Sequence, residues 1–304
     1  MKAVSGALVL TLALAACAPA AQPPKESHVA AEVVSAEPAG ARTDKLMISS
    51  PALGEERAVW VVKPAAWTAG SKGWRVLYLL HGCCGGGAWD WLESGEVEQV
   101  TAGLNAVVIV PEGGPMGWYA DWRRGPAWET FHTSELPALL EPRYGVSGPR
   151  SIAGYSMGGH GAFMYAARHP GMYVAAAALS GVLDTRKDVP GFQSFLRSHD
   201  IDTADLWGDP DAWAAHNPTD VAAALKGVRL YVSCGDGRPG PLDPAQDARS
   251  VDETEQGLLT QNHHFVDAAE KARVPVTTDF YGPGTHTWPY WIRSLRHALP
   301  ILLP

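Results

Sequence analysis

Six short apolar runs punctuate the chain, each halted by glycine, proline or a polar turn. They are RVLYLL (75–80), AVVIV (106–110), RSIA (150–153), VAAAAL (174–179), RLYV (229–232) and VTTDFY (276–281). Within them apolar residues follow one another rather than alternate, as in strands covered on both faces. Longer stretches between them, at 130–140, 158–168 and 257–272, repeat apolar residues at helical spacing. Strands alternating with helices predict a parallel α/β sheet. In such sheets the chemistry gathers at the carboxyl ends of the strands. The turns HG, PEGG, GYS, SG, SCGDG and GPG all stand there.

The amino-terminal segment follows a different pattern. Lys2 precedes an uncharged apolar stretch ending in LAAC, residues 14–17. A charged start, a short apolar middle and a small-residue end predict an export signal over 1–17, too short for a usual membrane span. LAAC has the form of a lipoprotein signal, with Cys17 as the lipidated residue and a lipid anchor to the membrane; ordinary cleavage beside Ala16 and Ala18 is the alternative. Residues 18–42 are rich in Ala, Pro, Glu and Ser without periodicity, and are expected to be a tether. One catalytic domain is expected over 43–304.

Composition narrows the chemistry. The chain has 304 residues, 46% hydrophobic, with a formal net charge of -8. An acidic chain without a basic run argues against nucleic-acid binding. There is no C-x-x-C pair, so no zinc site is suggested, and no cofactor is expected. Besides Cys17, the cysteines are Cys83, Cys84 and Cys234. Adjacency makes an ordinary bridge between Cys83 and Cys84 geometrically hard, and Cys234 reads as a small buried filler at a strand end.

GYSMG, residues 154–158, fits G-x-S-x-G between a strand and a helix. A sharp turn there lifts the serine hydroxyl clear of the backbone, with glycines where side chains would collide. Ser156 is therefore the expected nucleophile, and a serine needs a base. In chain order the acid and then the histidine follow such a serine. His286, in the GPGTHTW loop after the last strand, is the expected base. His160 lies too close to the nucleophile, His263 and His264 lie mid-helix, and His297 lies in the C-terminal helix. Acid candidates are Asp236, Asp243, Asp247, Asp252, Glu253 and Glu255; spacing favours none, and Asp236 leads by position alone. The backbone N–H groups of Met157 and of Cys83, in HGCCGGG, are expected to form the oxyanion hole. GDGRPG, residues 235–240, imitates a dinucleotide fingerprint, but Pro239, Pro241 and Pro244 oppose the helix it requires.

LYLLHG, VVIVPEGGPMGWYADW, WETFHTSELP, GYSMGG, ADLWGDPDAW, YVSCGDG and GPGTHTWPYW, in consistent order over 77–291, resemble the antigen 85 mycolyltransferases and the wider esterase D-like α/β-hydrolases. The resemblance implies an α/β-hydrolase fold, a mostly parallel central sheet with helices on both faces. It implies a Ser-Glu-His triad, in which the acid ahead of the F-x-D-A stretch, 265–268, falls on Glu255. Ser156, His286, Met157 and Cys83 keep the roles already assigned. The mycolyltransferases carry LLDGLR where this chain has LLHGCC, so His81 and Cys84 replace residues that serve the acceptor sugar there. Their cysteine pair after the SDW segment is also missing. Hydrolysis of acyl esters is thus the expected activity, acyl transfer to a sugar or other alcohol the runner-up, and a catalytically silent binding protein a third reading. Trp89, Trp91, Trp118, Trp122, Trp128 and Trp288 flank the site loops. His81, Trp122 and Trp288 are the expected substrate contacts.

Overall fold

A computed structural model describes Met1, residues 30–244 and residues 250–304. Apart from Met1, the expected signal with Cys17 lies outside the described residues, as do residues 18–29 of the expected tether and the acid candidate Asp247. Among the described residues nine strands form one sheet: β1 (Glu32–Pro38), β2 (Thr43–Ser50), β3 (Glu55–Val62), β4 (Trp74–Leu80), β5 (Ala106–Pro111), β6 (Val146–Tyr155), β7 (Ala175–Leu179), β8 (Arg229–Cys234) and β9 (Val276–Phe280). Their spatial order is β1-β2-β3-β5-β4-β6-β7-β8-β9. The six strands from β4 onward are the expected apolar runs, and each parallel neighbour pair, from β5–β4 to β8–β9, is drawn from them.

The first three strands were not foreseen. They pair antiparallel with one another, and β3 continues antiparallel onto β5. β1 is mostly exposed, and β2 alternates buried Leu46 and Ile48 with half-buried neighbours. These two strands lack the continuous apolar run that marks a doubly covered one, whereas β3 carries one, 58–62, with Val59 and Val61 in one layer and Trp60 and Val62 in the other. The ordered domain therefore begins earlier than expected: residues 32–38 of the expected tether are β1.

Alternation across the sheet separates two apolar layers. Val76, Tyr78 and Leu80 of β4 join Ile152, Ala176 and Val232 on one side, beneath the helices Leu136–Tyr144, Met157–Arg168 and Glu253–Lys271. Leu77 and Leu79 join Ala153, Ala177 and Tyr231 on the other, where the Trp288–Leu302 helix contributes Trp291, Leu295 and Leu299. The helix expected over 130–140 is longer, running from Trp128–Thr130 through a wider π turn, Phe131–Glu135, into Leu136–Tyr144.

Four consecutive alanines in the interior strand β7, 175–178, leave room for backbone-to-backbone approach beside them. A Cβ on Gly159 would stand 2.9 Å from the Cα of Gly181, and one on Gly158 would stand 2.3 Å from the carbonyl oxygen of Leu80. The Met157–Arg168 helix thus meets the strand ends at a separation only glycine allows. Gly257, on the Glu253–Lys271 helix, has nothing within 4 Å of its would-be Cβ. Gly158→Ala is expected to destabilise the fold by about 3 kcal/mol, since the atoms in the way are backbone. Gly257→Ala should instead gain up to about 1 kcal/mol from helix propensity. Urea midpoints of the two variants moving in the same direction would contradict this account.

Candidate active site

The carboxyl end of β6 runs into Ser156 and from there directly into the Met157–Arg168 helix. Ser156 takes φ 54° and ψ -121°, a conformation costly for a residue with a side chain. Its backbone is held on every side. The Ser156 N–H donates to the Leu179 carbonyl at 3.0 Å, and its carbonyl accepts from Gly159, His160 and Val182 at 3.0, 3.3 and 3.2 Å. A Cβ on Gly154 would fall 2.3 Å from the Gly158 carbonyl carbon. Both glycines of G-x-S-x-G are therefore required by contact between backbones.

Two later loops bring the other groups. Gly235 and Gly237, after β8, and Gly284, after β9, approach so closely that a Cβ on Gly235 would stand 2.4 Å from the Gly284 carbonyl oxygen. The Gly237 N–H donates to that same carbonyl at 3.0 Å. The glycines of GDGRPG thus serve loop packing, and residues 241–244 after them form no helix. Beyond this junction the His286 Nδ1–H donates to Glu255 Oε2 at 2.8 Å. Glu255 is completely buried, and its Oε1 accepts from the Ser180 hydroxyl at 2.8 Å, the Gly235 N–H at 2.7 Å and the Cys234 thiol at 3.3 Å. A buried carboxylate is tolerated when its lone pairs are filled in this way.

Asp252, weighed in the sequence only as an alternative acid, has another place. It caps the Glu253–Lys271 helix by accepting from the Glu255 N–H at 3.1 Å, and its second oxygen accepts from the His286 N–H at 2.9 Å. One carboxylate thus ties together the backbones of the acid and the histidine. Asp236, favoured by position, is turned away and bound to Arg238 through its backbone N–H and guanidinium.

Ser156 and His286 line one cavity of about 730 Å³, together with Cys83, Cys84, Trp118, Phe192, Phe195 and Trp291 among others. Among the described residues no hydrogen bond joins the Ser156 hydroxyl to His286, and the Cys83 N–H has no protein acceptor. The remaining histidines are engaged elsewhere. His160 donates to the Val182 carbonyl, His264 meets Asp184, His297 meets Asp279, and His263 packs on Phe280.

The match to a family model decides the wider relationship: residues 50–302 fit the Esterase family. The chain belongs to that family. The antigen 85B diacylglycerol acyltransferase/mycolyltransferase of Mycobacterium intracellulare is 33% identical over 285 residues, covering 86% of this chain and 83% of the relative. Esterase MT1326 of Mycobacterium tuberculosis is 31% identical over 242 residues, covering 74% of this chain and 51% of the relative. In structure, the chain is similar to MPT51 of Mycobacterium tuberculosis, with TM-score 0.73, 25% identity and coverage of 87% and 98%. A ferulic acid esterase is similar at TM-score 0.64 and 29% identity, covering 90% and 98%. This is accordingly an Esterase-family enzyme of the α/β-hydrolase fold, akin to the antigen 85 proteins, acting on ester bonds as a hydrolase or acyltransferase.

Three expected substrate contacts of this esterase lie elsewhere. Trp122 packs against the larger core and donates to the Gly117 carbonyl. Trp288 wedges edge-on against Trp91, Tyr155 and Trp291. Trp291, its neighbour one turn on, is the residue that reaches the cavity and meets the His286 ring. His81 is completely buried and so cannot stand in for an acceptor-binding aspartate. Its Nδ1–H donates to the Gly82 carbonyl at 2.7 Å and its Nε2 accepts from the Gly113 N–H at 2.8 Å. The ring therefore holds a single neutral tautomer. It also fixes the peptide unit whose other end is the Cys83 N–H.

Burial lowers His81 from 6.5 to about 4, so its contact with Glu112 at 3.6 Å is no ion pair at neutral pH. Burial likewise lowers His132 and His160 to about 3. His132 donates from Nε2 to the Glu112 carbonyl and accepts at Nδ1 from the Tyr165 hydroxyl. Below pH 6.5 these rings gain protons when the chain unfolds but not while it is folded. Acid therefore favours the unfolded state, by up to about 1.4 kcal/mol per pH unit for each ring. Between pH 7 and pH 5 the melting temperature should fall steadily, and His132→Gln should flatten the slope. A melting temperature constant across that range would refute the assignment.

Proposed function

We propose that this enzyme hydrolyses acyl esters through a covalent acyl-enzyme at Ser156, with His286 as general base and then acid and Glu255 as its orienting carboxylate. The observation that carries the reading is the 2.8 Å bond from His286 to the buried Glu255, on a loop whose histidine opens into the cavity that Ser156 lines. Occupied by Glu255, Nδ1 keeps its hydrogen and leaves Nε2 as the basic nitrogen. On substrate binding the imidazole takes the Ser156 proton while Oγ attacks the ester carbon; free enzymes commonly leave this contact open until then. The Cys83 and Met157 N–H groups receive the negative charge that develops on the carbonyl oxygen, helped by the free amino end of the Met157–Arg168 helix. His286 then gives its proton to the departing alcohol, and a water activated by the same ring releases the acid.

Acyl transfer shares the first half of this cycle. The relatedness to an antigen 85B acyltransferase/mycolyltransferase supports it. The burial of His81 favours hydrolysis, because the position that resembles an acceptor-binding site offers no side chain to an incoming sugar. We read the protein as exported and lipid-anchored through Cys17, on the strength of Lys2, the apolar stretch and LAAC.

With a 4-nitrophenyl ester, Ser156→Ala should lower kcat by about a millionfold. Glu255→Gln should lower it by about ten-thousandfold, while Asp236→Asn stays near the parent rate. A damaging Asp236→Asn beside a harmless Glu255→Gln would reverse the assignment of the acid. With trehalose added, free acid should remain the main product; sugar ester in its place makes the enzyme a transferase. Fatty-acid labelling of the chain expressed in a bacterium should vanish in Cys17→Ala, and labelling that survives would remove the anchor.

A further inference from the structure

A disulfide joins Cys83 to Cys84, contrary to the expectation from their adjacency. The bridge is possible because Cys84 turns into the left-handed region, φ 65°, which brings the two side chains to the same side of their shared peptide. Both cysteines line the cavity with Ser156. Cys83 is half-buried and Cys84 exposed as a residue, with its sulfur 3.9 Å from the Met116 sulfur on one side.

The surrounding loop depends on this turn. The Cys84 N–H donates to the Pro115 carbonyl at 3.0 Å, and the Cys83 carbonyl accepts from Gly86 at 3.3 Å. Gly85 follows with φ 98°, so two consecutive residues carry positive φ. Glycine adopts that conformation freely, whereas cysteine resists it. The short covalent ring is what holds Cys84 there. His81 secures only the Gly82 end of the peptide that presents the Cys83 N–H.

We propose that Cys83–Cys84 is a thiol–disulfide exchange site, at which a dithiol reductant opens the oxyanion loop and lowers turnover. The proposal rests on the reading of the Cys83 N–H as an oxyanion donor. In the forward step a thiolate of the dithiol attacks the Cys84 sulfur, the Cys83–Cys84 bond breaks, and the Cys83 thiolate takes a proton. The second thiol of the reductant attacks the mixed disulfide, closes its own disulfide, and releases Cys84 as a thiol. Two electrons pass to the pair, and the reductant leaves oxidised. Freed of the ring, Cys84 relaxes toward negative φ and carries the Cys83 donor out of line. Cys234 is not involved: it is buried and faces Glu255.

The test uses the full chain, before and after dithiothreitol. Alkylation under denaturing conditions, followed by peptide mass analysis, should leave the Cys83–Cys84 peptide unmodified before reduction and doubly alkylated after it. Reduction should slow fluorophosphonate labelling of Ser156 and lower kcat for a 4-nitrophenyl ester by about tenfold, a partial loss of what one oxyanion donor supplies. KM should change little, and reoxidation should restore the rate. Cys84→Ala should sit at the reduced level with or without dithiothreitol. Cys84→Gly should recover part of the loss, because glycine takes the positive φ without a ring. Two alkylated thiols in the untreated protein, or a proven reduction that leaves both rates unchanged, would overturn the proposal. Absence of Ser156 labelling in the oxidised protein would instead overturn the nucleophile assignment, which mass analysis of the bridge does not touch.

Discussion

The site depends on one residue held in a conformation its side chain disfavours. At φ 54° Ser156 sits where a non-glycine residue costs about 1–3 kcal/mol, and its surroundings are arranged to hold it there. The neighbouring strand end supplies a carbonyl to its N–H, and three N–H groups converge on its own carbonyl. Those bonds form only because the Met157–Arg168 helix lies almost against the ends of β4 and β6. That approach, in turn, demands Gly154, Gly158 and Gly159 and favours the small side chains of β7. The glycine cost in helix propensity is the condition for holding the Ser156 hydroxyl at a fixed point of the cavity wall.

The second half of the site solves a different problem: placing a carboxylate where water cannot screen it. Glu255 contributes because four partners share its two oxygens, drawn from β7's end, the β8 loop and the β9 loop. Remove the loop packing at Gly235 and Gly284 and these partners no longer converge. Asp252 adds a second tie between the same helix and the His286 loop. The acid, its cap and the histidine therefore move as one body, hung on different strands from the one that carries Ser156. Shaping the sheet edge is thus the same act as assembling the relay.

What could be read from the sequence follows from how local each determinant is. Five of the six strands from β4 onward were legible because burial on both faces leaves a continuous apolar run, and the edge strand β9, half-exposed, because a glycine turn closes it. Ser156 was legible because its turn imposes glycines at fixed offsets, and His286 because it follows the last strand. β1 and β2 were not, since a strand exposed on one side looks like polar chain; β3 is the exception, with AVWVV at 58–62 covered on both faces. The acid was ambiguous because six carboxylates follow β8, and only packing separates the buried Glu255 from Asp236, which pairs with Arg238 two residues away. Family resemblance, rather than spacing, pointed to Glu255. His81, Trp122 and Trp288 show the converse: nearness in sequence to a site loop says nothing of which way a large side chain turns. Trp288 and Trp291 share one helix, and three residues decide which of them meets the cavity.

The differences from the antigen 85 pattern acquire meaning from this geometry. Three of them fall in the loop after β4, at His81, Cys83 and Cys84, another is the missing cysteine pair after the ADW segment at 120–122, and none touches Ser156, His286 or Glu255. A buried, neutral His81 bonded to Gly82 and Gly113 pulls the β4 and β5 loops together and spends its polar atoms on backbone. A polar side chain directed into the cavity at the same position would do neither. At this position the chain therefore presents an inward-facing clamp and no polar side chain to the cavity that Ser156 lines. Water needs no dedicated contact to attack an acyl-enzyme, whereas a sugar hydroxyl must be held in line. On that physical ground, the clamp made by His81 supports the proposed hydrolysis over transfer.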